Sequence, residues 1–312
     1  MMNEHSRTGS PLGRRQALAM LGGVVLSGLS PARWAHAGGA VASALAFDGG
    51  ALVVAGAQVW RHDLSGGASA TFPTPRAHIR ALACHPARTG RLFAALEGGG
   101  LDRSDDGGRT WHPASGGLPM PQVTAVATAA GAPDTVYAAV AGDGLWRSED
   151  AGENWSFVMD RPWIADAERE VLTIASVNLA SGMGGIWIYA GTERGLTRVP
   201  DCFCRWQDVV AGNAMDALVA GTPPAPETPL PEGEPVLALT SAMAAPERLA
   251  AALPSGLWAS SDGGVNWAHR SGHVAPALAA HPTEPSRIAA ITADEVILSH
   301  DSGASWAALP TT

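Results

Sequence analysis

The chain contains no lysine; all 20 basic residues are arginine, against 29 acidic ones in 312 residues. With a candidate N-terminal leader (1–37) set aside, 16 arginines face 28 acids, a net charge of −12 over 275 residues. Such acidity argues against nucleic acid and against anionic lipid as partners. Three cysteines, Cys84, Cys202 and Cys204, are too few for a disulfide scaffold, so stability must come from a packed core. Past the leader no run approaches the roughly 20 apolar residues that span a bilayer. Metal-ligand spacing is absent, and no metal or cofactor is expected.

The leader is legible in its own right. Arg14 and Arg15 precede an apolar, glycine-interrupted stretch from Ala17 to Leu29, and Ala35-His36-Ala37 follows as a small-x-small cleavage site. This order is that of a twin-arginine export signal. It predicts cleavage after Ala37, a mature chain of residues 38–312 and a periplasmic address. Ala17 stands where such signals favour a large apolar residue, so ordinary secretion is the competing route.

Four segments obey S-x-D-x-G-x-x-W: Ser104, Asp106, Gly108 and Trp111; Ser148, Asp150, Gly152 and Trp155; Ser260, Asp262, Gly264 and Trp267; Ser299, Asp301, Gly303 and Trp306. Internal repeats of this kind decide an architecture. Ser and Asp side chains can hold nearby backbone amides in a tight turn, glycine supplies a positive φ, and the tryptophan buries a large ring beside the turn. The octamer is therefore a folding device before it is a carboxylate site. It resembles the Asp-box, or BNR repeat, of sialidases, the sortilin ectodomain and the photosystem II stability and assembly factor family.

Two worn copies complete the series. Gly195 to Val199 matches Gly144 to Ser148 in shape and runs through Asp201 to Trp206 without the serine and glycine; Val59-Trp60-Arg61-His62 holds the same place near the N-terminus. Starts at 62, 104, 148, 199, 260 and 299 lie 39 to 61 residues apart, about the length of a four-stranded propeller blade. Short apolar runs inside the intervals, such as 123–128, 135–140 and 288–292, read as strands. The expectation is an all-β, six-bladed β-propeller over 38–312, with room for part of a seventh blade in 212–236.

Six prolines in 221–235 exclude a sheet interior and mark an exposed surface insertion. Residues 160–170 form a second unusual connection. Both join one blade to the next, which places them on the face opposite the Asp-boxes. His85-Pro86 and His281-Pro282 recur at one repeat position and read as turns. Cys202 and Cys204 flank the tip of the worn box; a disulfide, two inert thiols and a redox or soft-metal pair all remain open.

An enzyme is the main rival function. A sialidase-like site needs a tyrosine nucleophile with a carboxylate and an arginine triad, and other glycosidases need paired carboxylates. The only tyrosines, Tyr137 and Tyr189, lie in strands at one repeat position and read as core. The short Arg-Ile-Pro motif that opens sialidase domains is absent. Resemblance to the assembly-factor branch implies a monomeric, non-catalytic scaffold for a protein partner in a periplasmic or membrane complex; a sialidase-like hydrolase or carbohydrate-binding propeller is the alternative. Long loops on a rigid scaffold commonly carry binding, and Arg161 with Trp163 offers the residue types favoured at interface hot spots.

Overall fold

The computed structural model describes residues 42–119, 122–164, 166–179, 185–211, 219, 221 and 226–309. Arg14, Arg15 and Ala37 of the expected export signal and much of the proline-rich insertion lie outside them. Among the described residues every element is a β-strand.

Blade 1 runs β1 (Ala44–Asp48), β2 (Ala51–Ala55), β3 (Gln58–Asp63) and β4 (Ala70–Pro73). Blade 2 is β5 (Ile79–Cys84), β6 (Leu92–Leu96), β7 (Leu101–Ser104) and β8 (His112–Pro113). Blade 3 is β9 (Val123–Ala129), β10 (Ala132–Val140), β11 (Gly144–Ser148) and β12 (Ser156–Asp160). A two-stranded hairpin, β13 (Trp163–Ile164) and β14 (Ala167–Glu168), precedes blade 4, built from β15 (Val171–Asn178), β16 (Ile186–Thr192) and β17 (Gly195–Pro200). Blade 5 is β18 (Ala238–Ala242), β19 (Ala245–Leu253), β20 (Gly256–Ser260) and β21 (Ala268–Ser271); blade 6 is β22 (Ala277–Ala280), β23 (Ile288–Ile291), β24 (Val296–Ser299) and β25 (Ala307–Ala308). All pairings are antiparallel meanders. In blade 4 the place of a fourth strand is taken by one isolated bridge, Arg198 to Gln207.

The first strands form the ring. β1 packs beside β5, β5 beside β9, and so on through β15, β18 and β22 back to β1. The seam is closed by side chains: Leu45, Phe47 and Val54 of blade 1 meet Ala289, Ile291 and Leu298 of blade 6. Second strands are sandwiched between neighbouring blades, so ALVVA, LFAAL and IWIYAGT are buried throughout and read as continuous apolar runs. Outer strands such as β8, β21 and β25 are short and mostly exposed, which blunts the free sheet edges. The count is six blades, with no seventh among the described residues.

Candidate functional site

Each intact Asp-box closes on itself. The serine hydroxyl accepts the amide of the box glycine at 2.8–2.9 Å and donates to the aspartate at 2.7–2.9 Å. The aspartate's second oxygen takes the Thr110 hydroxyl, the Asn154 and Asn266 amides or the Ser305 hydroxyl at 2.6–2.8 Å. Trp111, Trp155, Trp267 and Trp306 donate their indole N–H to the glycine carbonyl. Burial opposes ionisation of Asp106, but the hydrogen bonds from Thr110, Ser104 and Arg109 outweigh it and hold the pKa at about 2. The Ser305 contacts do the same for Asp301, also at about 2, and Asp150 and Asp262 are lowered for like reasons. Carboxylates so fully engaged stay ionised and have no proton to give as general acids. Among the described residues no group of three or more His, Cys, Asp and Glu side chains is placed to hold a metal.

Blade 4 shows what happens when the box decays. Val199 and Phe203 replace the serine and glycine, and Phe203 still takes the left-handed φ of +50° that the turn requires. A Cys202–Cys204 disulfide spans that turn, which removes the free-thiol and metal readings of the pair. Asp201, released from capping its own turn, accepts the Tyr137 hydroxyl at 2.6 Å and pairs with Arg147 at 3.4 Å. Phe203 stacks near both, 6.2 Å from the Tyr137 ring and 5.5 Å from the Arg147 guanidinium. Tyr189 lies at the equivalent position of blade 4 and donates to the Gly263 carbonyl of the next box at 2.8 Å. Both tyrosines are completely buried. Burial first, and for Tyr137 the Asp201 bond next, raises their pKa values, so neither phenol is a nucleophile. An arginine just before four of the six boxes, Arg61, Arg103, Arg147 and Arg198, belongs to the same layer; Arg103 reaches the Ala151 carbonyl and Glu153 of the next blade.

The central channel narrows to cavities of about 140 and 110 Å³ near its two ends, below the roughly 300 Å³ at which ligand pockets begin. Their lining is mostly small and apolar, with Ser176, Asn178, Thr128, Thr240 and Arg80 among the polar side chains, and among the described residues it contains neither aspartate nor glutamate. Among the described residues, then, no carboxylate pair of the glycosidase kind lines these two cavities.

The hairpin before blade 4 is differently built. Trp163 pairs with Glu168 across it and Asp166 turns it at φ +60°. Arg161 forms ion pairs with both Glu168 and Glu170, and Arg169 donates to the Ile164 carbonyl at 3.0 Å. The two residues singled out in the sequence thus do different things. Arg161 belts the base of the hairpin, while Trp163 is 64% exposed, away from any core between blades. Phe157, also exposed, meets Trp146 edge to face at 5.7 Å on the outer rim of blade 3. The hairpin strands carry no periodic pattern in the sequence, and two-residue strands offer none to find.

Comparison with known proteins agrees with this geometry. The BNR/Asp-box repeat family matches residues 103–113. The chain is a six-bladed β-propeller carrying Asp-box repeats. No curated protein sequence matches it. Among solved structures it is similar to the GH74 xyloglucanase from Xanthomonas campestris at 18% identity, covering 84% of this chain and 45% of that one, with a TM-score of 0.52. It is likewise similar to the Niastella koreensis GH74 enzyme at 14% identity, over 85% and 46%, TM-score 0.53. It resembles YCF48 bound to D1 peptide at 14% identity, over 83% and 77%, TM-score 0.50. The chain thus spans about half the length of the GH74 enzymes. At these identities the likeness is one of fold.

Proposed function

We propose that the chain is an exported, non-catalytic propeller that binds a protein partner, as a scaffold or assembly factor for a periplasmic or membrane complex. The observation that carries the reading is Trp163, a large ring left 64% exposed on a hairpin that Arg161 holds to Glu168 and Glu170. An aromatic side chain displayed on a stiffened support is what a protein interface uses as an anchor. Support also comes from the lack of carboxylates in the channel, from the engaged Asp-box aspartates, and from the likeness to YCF48, a propeller solved with a bound peptide. The twin-arginine leader supplies the periplasmic address. The GH74 likeness supports a second reading, a glycoside hydrolase or sugar-binding propeller, over about half of those chains.

The test uses residues 38–312 as bait in periplasmic extract, beside the same bait with Trp163→Ala. A protein retained by the first and lost from the second supports the reading. Retention by neither, together with sugar released from xyloglucan, moves the protein to the hydrolase class.

A further inference from the structure

Blades 2, 3 and 4 carry a large ring at one position of the second strand: Phe93, Tyr137 and Tyr189. Across the ladder each faces an arginine, Arg103, Arg147 and Arg198. Each ring is laid against the box turn of the following blade. Phe93 lies against Gly152, and the two tyrosine hydroxyls reach Asp201 and the Gly263 carbonyl. In blade 5 the same two positions, still paired, are Ala250 and Ala259. The box that follows, Ser299 to Trp306, is intact. A ring and a guanidinium are thus missing from between blades 5 and 6, and a cavity of about 400 Å³ opens where they would be, touching Ala250, Ala259, Asp301 and Ser302. Its volume falls within the ordinary range of ligand pockets. Arg248 and Arg270 also line it, both exposed and neither with an ion pair among the described residues. The Ser302 carbonyl holds the repeat position of the Gly263 carbonyl that accepts the Tyr189 phenol.

We propose that this cavity binds a tyrosine side chain of a partner polypeptide, flanked by acidic residues that pair with Arg248 and Arg270. The inference rests on the protein-binding reading and names a second contact for it. The alanine floor takes the ring, the Ser302 carbonyl accepts the phenolic O–H as the Gly263 carbonyl does one blade earlier, and the two free guanidiniums select carboxylates.

The probe is the capped peptide acetyl-Glu-Glu-Tyr-Glu-Glu-amide, titrated calorimetrically into residues 38–312. Saturable one-site binding is expected, at least tenfold weaker when the tyrosine becomes alanine or the glutamates become glutamines. Ala250→Tyr with Ala259→Arg restores to blade 5 the pair that blade 4 carries; it is expected to weaken the peptide at least tenfold at an unchanged or raised Tm. Should that variant misfold, Arg248→Ala with Arg270→Ala changes only exposed side chains and carries the same expectation. Absence of saturable binding, or binding that these variants leave unaltered, overturns the site. Partner capture through Trp163 alongside such a failure overturns this cavity alone and leaves the scaffold reading standing.

Discussion

The Tyr137 hydroxyl of blade 3 donates a 2.6 Å hydrogen bond to the Asp201 carboxylate of blade 4. Asp201 is the aspartate of the one box that has lost both its serine and its glycine, and its charge now joins two blades where its counterparts hold their own turns. Tyr137→Phe removes a buried bond to a charged acceptor, a class that contributes about 1.5–3 kcal/mol. Urea unfolding is expected to show a loss of that size, and Tyr189→Phe, which gives up both the Gly263 carbonyl acceptor and the Arg198 guanidinium that donates to its hydroxyl at 3.0 Å, a loss of at least about 1.5 kcal/mol.

The intact boxes predict an acid limit. Their aspartates have folded pKa values below the roughly 3.9 of an unfolded chain, about 2 for Asp106 and Asp301. A depressed folded pKa stabilises above the unfolded value and ceases to do so as pH falls through the folded one. Tm is therefore expected to fall between about pH 4 and pH 2, and less steeply in an Asp106→Asn, Asp301→Asn variant. Asp262→Ala at neutral pH is expected to cost about 1–2 kcal/mol without loss of partner binding; a collapse of binding at unchanged stability would make the box a site.

Much of this layout was legible in the residues. Four matching octamers fixed the repeat, and the worn copies at Val59 to His62 and at Gly195 to Trp206 pointed to six blades while leaving room for part of a seventh in 212–236, which the structure does not show among the described residues. Tyr137 and Tyr189 were readable as core from their shared position. The switch of Asp201 to Tyr137 was not, because it is a contact between blades 64 residues apart and no local pattern encodes it. The missing fourth strand of blade 4 leaves no mark in the sequence, because Trp206 to Val210 keeps the composition of a strand while pairing only at Gln207. The loss of ring and arginine at Ala250 and Ala259 is visible on aligning residues that precede each box, but its meaning needed the cavity.

As a twin-arginine signal, the 1–37 leader is expected to govern export. Arg14→Lys with Arg15→Lys is expected to abolish transport by the twin-arginine route, and N-terminal sequencing of the exported wild type to begin at Gly38. Unchanged periplasmic levels of the double variant would assign the leader to another route.

Arg161 and Trp163 should separate on mutation. Trp163→Ala, at an exposed position, is expected to shift stability by less than about 0.5 kcal/mol and to weaken partner capture. Arg161→Ala releases Glu168 and Glu170 and is expected to weaken capture by loosening the hairpin, seen as faster amide exchange over 163–168.

The most direct measurement places a photo-crosslinking amino acid at position 163 and irradiates cells exporting the protein. The account predicts a covalent adduct with one partner protein, absent when the crosslinker is moved to the exposed outer strand of blade 6 at Ala307. No adduct from position 163, in a protein that is exported and folded, would contradict it.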